Sequence, residues 1–556
     1  MFFSKIKIFS ILINTIFFLL SEIKMIFSYT MKKTSKIFRV TIVVLICTLG
    51  LFISTSGCVA NSSGINKPSA KILPWGDQGD GTYTNPIIKA DFSDPDIIRV
   101  GDDFYLVASE FHFVGMQVMH SKDLVNWQYI GQVFDKLTMA SQYDKMTAYA
   151  EGTWAPAIRY HDGEFYIFVC TPSEGLFMWH AKDPAGPWSE TITVKSVPRW
   201  EDPCPFWDDD GQAYLAHSHK GAGPIIIHKM STDGTKLLDD GKEVYRGPVA
   251  EGPKMFKRNG YYYISMPENG VSNGCQTILR SKDIYGPYDR KVVLPNGSPH
   301  QGGLVELPNG EAWFIGFKQA PGEQAALGRI CYLEPVKWGD DDWPIFGDEG
   351  KPVDSWTKPN VGKTYPIERP ATSDEFDSET LGLQWQWNHN PINENWTLTE
   401  HPGFLRLKAL PANNLSTARN TLTQKLWDDT GTIEIKLDVT GMEDGQRAGL
   451  GFMAGNRFGW VGVYHNNGSI KLDWQNQNGE APELSGKTVW LRGTYTNLNC
   501  KFSYSLDGQT FVETSSTFRM GFQSWKGSRP VIYSVGPNGG YVDVDYFHYE
   551  YGIDTN

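Results

Sequence analysis

The sequence predicts an all-β fold: a five-bladed β-propeller followed by a β-sandwich of jelly-roll type. Two observations point to the propeller. Five aromatic runs, DDFYLV, GEFYIF, GQAYLA, GYYYIS and GEAWFI, follow Gly, Asp or Asn turns, and their aligned aromatics are Tyr105, Tyr166, Tyr214, Tyr263 and Trp313, spaced by 61, 48, 49 and 50 residues. A period near fifty with several short strands per unit is the mark of propeller blades. Upstream of each run lies a second segment, SDPDII, WAPAI, EDPCPF, EGPKMF or HQGGLV, whose leading residue is Asp94, Trp154, Asp202, Glu251 or His300, 11, 12, 12, 12 and 13 residues before the aromatic. The third observation concerns the last third of the chain. From Asp374 onward FLRLKA, GTIEIKLDV, AGLGFMA, WVGVYH, SIKLDW, VWLRGTY, KFSYSLDG and YVDVDYFHYEY alternate apolar and polar residues between turns, as sandwich strands do.

Taken in order, residues 1–58 read as a targeting segment. Lys32-Lys33 precedes an apolar run from Val40 to Ile53 and then STSGC, ending at Cys58. That order is a secretory signal, and the small residues before Cys58 resemble a bacterial lipobox, which makes Cys58 the lipidation site. Thr55 stands where such boxes usually carry Leu. An earlier apolar run, Ile8 to Leu20, precedes Met31; it reads as an upstream extension with translation starting at Met31 or, as the alternative, as a short membrane anchor, and the start is left open between Met1 and Met31. Residues 59–80 read as a polar tether and 81–345 as the propeller. Within it HSKDLVNW, HAKDPAGPW and RSKDIYGPY repeat a Lys-Asp turn, read as structural rather than chemical. Residues 346–371, rich in Gly, Pro and charge, read as a linker, and 372–556 as the sandwich.

Composition narrows the function. The chain has 556 residues, a formal net charge of −12 and 13% aromatics. The acidic balance argues against a nucleic-acid partner. The 19 Trp and 25 Tyr could stack on sugar rings, although most should fill β cores. The seven cysteines form no CxxC or zinc-like cluster, and the last five are scattered, so neither a disulfide framework nor a metal site is expected. A structural ion on the propeller axis or in the sandwich is left open; no cofactor is required.

Residues at equivalent positions in the blades are related by rotation about the axis, so the five leading residues should converge at one end. Asp-Pro and Gly-Pro are common turn dipeptides, but that does not explain five leading residues in register with five anchors. Three of the five are carboxylates. Hydrolysis of a glycosidic bond needs one carboxyl to protonate the leaving oxygen and another to activate water or attack, roughly 6.5–9.5 Å apart in inverting enzymes. Glu251 has the longer reach towards a leaving group, Asp94 sits in a polar turn suited to a base, and a third carboxylate, Asp202, would keep Glu251 protonated by repulsion. Asp91 and Asp96 lie close to Asp94 and remain alternatives.

NPIIKADFSDPDIIRVGDDFYL, GTWAPAI, EDPCPFWDDDG, AEGPKMFKRNGYYYI and ALGRIC resemble glycoside hydrolase family 43 across the whole propeller. From DEF at 374–376 through DVDYF at 543–547 the chain is similar to the concanavalin-like sandwich of its β-xylosidase and α-L-arabinofuranosidase branch. The resemblance implies a five-bladed propeller of inverting enzymes, with Asp94 as general base, Asp202 as the carboxylate tuning the acid and Glu251 as general acid. It further implies Arg329 on sugar hydroxyls, and Phe111 and Trp154 as walls of the terminal-sugar subsite unless they are ordinary core. His300 falls at the family's axial histidine in an altered HQGG context, with water contact, metal contact and support all open.

The expected activity is exo-hydrolysis of terminal α-L-arabinofuranosyl and also β-D-xylosyl units from hemicellulose such as xyloglucan or arabinoxylan oligosaccharides. A dedicated β-xylosidase is the nearest alternative; an endo-arabinanase or a non-catalytic sugar-binding protein is further off. The expected address is the bacterial cell envelope, lipid-anchored on the periplasmic face of the outer membrane. The motifs give no oligomeric state.

Overall fold

A computed structural model describes residues 71–537 and 539–552. Five four-stranded antiparallel sheets follow one another in chain order, each running outward from its first strand. The first strands are Asp96–Val100, Trp154–His161, Trp200–Trp207, Lys254–Arg258 and His300–Glu306. Successive sheets adjoin around the axis, and His300–Glu306 lies against Asp96–Val100, closing the ring. The aromatic anchors sit on the second strands: Tyr105 in Asp103–Val107, Tyr166 in Glu164–Thr171, Tyr214 in Ala213–His219, Tyr263 in Tyr261–Glu268 and Trp313 in Ala312–Gln319. Helix is limited to short 3-10 turns among the described residues. The Lys-Asp echoes are turns: Asp123, Asp183 and Asp283 each accept the main-chain N–H two residues on, at Val125, Ala185 and Tyr285.

One local feature recurs at the axial end of every blade. Asp94, Ala155, Asp202, Gly252 and Gln301 all have positive φ, between 36° and 58°. Ladder register shifts at this point in three of the first strands, between Trp154 and Ala157, Glu201 and Cys204, and His300 and Gly302. A left-handed residue at a bulge breaks the alternation of a strand, so neighbouring side chains can face the same space. Four of the five positions are not glycine, and each carries backbone strain of order 1–3 kcal/mol of the kind that collects at functional sites.

The C-terminal sandwich consists of two seven-stranded sheets. The edge of one of them is Phe113–Val114, a two-residue strand that leaves the first blade to pair with Gln386–Asn388. Two boundaries differ from the sequence reading. The tether ends before residue 71, because Trp75 is buried, its indole donates to Asp428 at 2.8 Å, and Gly76–Asp77 is a strand. The linker is not a free spacer either: Ser355–Thr357 pairs with Thr82–Thr84, and Lys358 binds Asp77 and Asp123. Cys58 and the whole targeting segment lie outside the described residues. Cys170, Cys204, Cys275, Cys331 and Cys500 are buried and unpaired.

Candidate active site

The strained ends of the first strands open onto a cavity of about 350 Å³, lined by Asp94, Phe111, Trp154, Glu201, Asp202, Lys220, Glu251, Gln301, Arg329 and Trp525 among others. All three sequence-predicted carboxylates are therefore brought together. Asp94 accepts Ser109 Oγ at 2.7 Å and lies 3.0 and 3.2 Å from Arg329 Nη1 through its two oxygens. Asp96, the alternative two residues on, is turned down the axis, where it binds Arg159 and the main-chain N–H of Ile158. Asp91 stands behind the site, accepting the N–H groups of Arg329 and Gly527 at 3.2 and 2.8 Å. Both residues are structural, which leaves Asp94 as the carboxylate facing the cavity in this segment.

One carboxylate oxygen from each of Glu201, Asp202 and Glu251 lies within 4.8 Å of the others. Burial pushes Glu251 up to about 8, with the charges of Glu201 and Asp94 adding and Arg329 opposing. Asp202 is also held well above the carboxylate range, by burial first and then by Glu201, Glu251 and Asp94. The sequence reading expected repulsion to be the main cause; desolvation is the larger one. A cluster that retains protons at neutral pH is suited to proton transfer.

Arg329 is buried, with its guanidinium over Phe317 and Trp525, and its Nε has no hydrogen-bond partner in the protein. A buried donor without a partner calls for an explanation, such as a ligand or a water. Phe111 and Trp154 stand edge to face at 5.7 Å and form one wall. His300 is placed differently from the other candidate residues. It does not line the cavity, and its two ring nitrogens lie 2.7 and 3.2 Å from the carbonyls of Ser298 and Val271. The next residue, Gln301, takes the wall position with a buried Oε1 that has no partner.

The sequence reading missed three residues. Glu201 was hidden because strand alternation places it opposite Asp202. Gln301 was hidden by the same one-residue shift. Trp525 comes from the sandwich, stands edge to face with Trp154 at 6.3 Å and closes one side; a lone Trp in a loop carries no sequence signal.

The family model described as Glycosyl hydrolases family 43 matches residues 83–344, and that described as Beta xylosidase C-terminal Concanavalin A-like domain matches 373–550. A Xylanibacter ruminicola protein named provisionally as a beta-xylosidase is 46% identical over 473 residues, 82% of this chain and 86% of that one. The chain belongs to glycosyl hydrolase family 43. Other proteins are similar to it. A beta-xylosidase of Formosa agariphila is 39% identical over 548 residues, 86% of this chain and 92% of its own. The non-reducing end alpha-L-arabinofuranosidase BoGH43B of Bacteroides ovatus is 36% identical over 354 residues, 60% of this chain and 66% of its own. The solved GH43B of a Bacteroides ovatus xyloglucan PUL superposes with a TM-score of 0.74 at 30% identity, covering 84% of this chain and 99% of that one. The protein is thus a glycosidase.

Proposed function

We propose that this family 43 enzyme is an exo-acting, inverting hydrolase that releases single β-D-xylosyl units, and α-L-arabinofuranosyl units as a second activity, from the non-reducing ends of plant hemicellulose oligosaccharides. The observation that carries the exo mode is the closure of the cavity by Trp525 from the sandwich, which leaves room for a chain end rather than a groove for a chain. The more similar relatives bear xylosidase names and the arabinofuranosidase is less similar, which favours xylose first. The xyloglucan setting of the Bacteroides ovatus structure supports xyloglucan fragments beside arabinoxylan as the source.

In this reading the protonated Glu251 gives its proton to the glycosidic oxygen as the bond to the anomeric carbon breaks. Asp94 takes a proton from the water that attacks the opposite face, so the product sugar is inverted. Arg329 fixes the Asp94 carboxylate through both oxygens and turns its free Nε towards a sugar hydroxyl. Phe111, Trp154 and Trp525 hold the apolar faces of the sugar.

Nitrophenyl β-D-xylopyranoside and α-L-arabinofuranoside assayed side by side give the preference, and proton NMR of the first product gives the stereochemistry. Retention of configuration overturns the mechanism. Glu251→Ala should regain much of its rate on aryl glycosides of low leaving-group pKa, which need little protonation, whereas Asp94→Ala should stay slow on every substrate. The proposed address is the cell envelope through lipid on Cys58, so Cys58→Ala should move the protein to the soluble fraction; continued membrane binding would assign the anchor to an upstream apolar run.

A further inference from the structure

We propose that the far end of the propeller axis is a second sugar-binding site, which holds a neutral pyranose of a xylan-type chain without cleaving it. The catalytic carboxylates stand near the starts of the first strands, and the rest of each first strand runs away from them. At the other end all five first strands line a cavity of about 480 Å³. It shares no lining residue with the catalytic cavity. The choice of a xylan-type sugar rests on the hemicellulose reading of the enzyme; the site itself is argued from its own residues.

The buried polar groups of this cavity are incompletely paired. Asp96 is 1% exposed, and only its Oδ2 is spent on structure, accepting Arg159 Nη1 at 2.6 Å and the N–H of Ile158 at 3.0 Å. Its Oδ1 has no partner in the protein. The space before Oδ1 exists because residue 303 is glycine: a Cβ there would stand 2.9 Å from it. Lys254 is buried too. Its ammonium donates to the carbonyl of Pro156 at 2.9 Å, stands 3.8 Å from Asp96 Oδ2 and keeps hydrogens to spare. Ser265 Oγ accepts Gln276 Nε2 at 2.8 Å, which leaves its own hydrogen to donate. A buried acceptor without a partner, among donors with capacity left, asks for a ligand or a water.

Charge selects the kind of ligand. A metal ion at Oδ1 would be repelled by the Arg159 guanidinium and the Lys254 ammonium beside the same carboxylate, and an anion would be repelled by the carboxylate itself. The other charges on the walls are already engaged: Lys257 with Asp208 and Asp209, Glu306 with Arg258, and Arg99 with the carbonyl of Glu306. A neutral diol meets neither penalty. One hydroxyl donates to Oδ1 and its neighbour accepts from Lys254, as vicinal hydroxyls of a pyranose can. The walls suit a sugar ring as well. Tyr160 is 45% exposed there, and Trp207 lies parallel to His161, with ring centroids 4.8 Å apart and planes 14° from each other. Aromatic side chains combine apolar faces with a polar edge, which is what a ring carrying hydroxyls packs against.

The test uses the full chain carrying Glu251→Gln, which blocks turnover, run in native gels that contain soluble arabinoxylan. The polymer should retard it, and added xylotriose should relieve the retardation. Tyr160→Ala, a change to an exposed side chain, should weaken the retardation roughly threefold or more. Lys254→Met should weaken it as well, and the melting transition of each variant separates loss of the site from loss of the fold. Crystals soaked in xylotriose should show a hydroxyl on Asp96 Oδ1. With Glu251 restored, Tyr160→Ala should keep its rate on nitrophenyl β-D-xylopyranoside, which needs the catalytic cavity alone. Unchanged retardation in folded Tyr160→Ala and Lys254→Met overturns the inference, as do water alone in the soaked cavity, sugar there at crystal concentration only, or phosphate competing as well as xylotriose. Failure of the hemicellulose reading looks different: the wild type would then leave both the nitrophenyl xyloside and the arabinofuranoside intact.

Discussion

Burial holds the Glu251 carboxyl at about 8, and a proton bound that tightly ties stability to pH. In the unfolded chain a glutamate titrates near 4.3. Between the two values the native state keeps a proton that the unfolded state has released. The stability linked to this group is therefore complete below about pH 4.3 and is lost as pH rises through 8, at up to about 1.4 kcal/mol per unit. Glu251→Gln removes the titration and keeps the shape. The variant should melt with the wild type near pH 4.5 and above it, by a few degrees, at pH 8; a melting difference that stays constant across that range would show that Glu251 is not the proton holder. At this scale Asp94, Asp202 and Glu251 were legible because a Pro one or two residues after each marks a turn at a nearly fixed offset from an aromatic anchor. Glu201 and Gln301 were not, because the rule that successive strand side chains alternate fails at a left-handed residue, and nothing in EDP or HQ announces that failure.

Trp525 owes its place to an unusual turn. Gln523 and Lys526 exchange both main-chain hydrogen bonds, and the residues between them, Ser524 and Trp525, have φ of 55° and 64°. That is a type I′ hairpin turn, which favours Asn-Gly and strains most other pairs. The strain is held by the next two residues: Lys526 donates to the carbonyl of Ser109 at 2.7 Å, and Gly527 donates to Asp91 at 2.8 Å. Replacing Ser524-Trp525 by Asn-Gly should relax the turn and raise stability by about 1 kcal/mol, while loss of the aromatic wall costs roughly tenfold in kcat/KM on xylobiose. A double variant that is both more stable and fully active would remove Trp525 from the site. The strands themselves were unevenly legible. Gly431–Asp438 alternates fully between buried and half-buried residues and is plain in the sequence. Arg529–Val535 is buried almost throughout and shows no period, and Val512–Arg519 turns Thr514 and Ser516 inward with Phe518, so its polar sequence hides its inner face. Hydrophobic periodicity sees neither kind.

The sequence divides the chain into two domains with a spacer, whereas the structure joins them through a shared core. Buried Trp75 and Phe92 from the propeller side pack with Trp427 of the sandwich, and Phe113–Val114 completes a sandwich sheet. Beneath Phe111 lies a fully buried ionic cluster. Glu110 accepts Lys425 Nζ at 2.6 Å and Arg529 Nη2 at 3.2 Å, with Lys526 at 3.7 Å. Glu110 and Lys425 stand 315 positions apart, and a two-residue strand has no measurable pattern, so neither link is visible in one sequence. The cluster makes a strong demand on the whole molecule. Cutting the chain to 71–371 strips Glu110 of Lys425, Lys526 and Arg529, and strips Asp91 of the Gly527 N–H. An uncompensated buried carboxylate costs about 3–5 kcal/mol, Asp91 is left with the Arg329 N–H and Ser93 Oγ alone, and the apolar face against Trp427 is exposed as well. That sum is comparable with the 5–15 kcal/mol of a typical domain. The 71–371 chain should therefore be aggregated or lack fixed tertiary packing by near-ultraviolet circular dichroism, and should hydrolyse nothing. Separately expressed 372–556, mixed in during refolding, should return a soluble complex with measurable activity, because the missing charges and the Trp525 turn arrive together. A monomeric 71–371 chain with a sharp melting transition near that of the full protein would show that the propeller carries its own stability and that the cluster contributes only to placing Trp525.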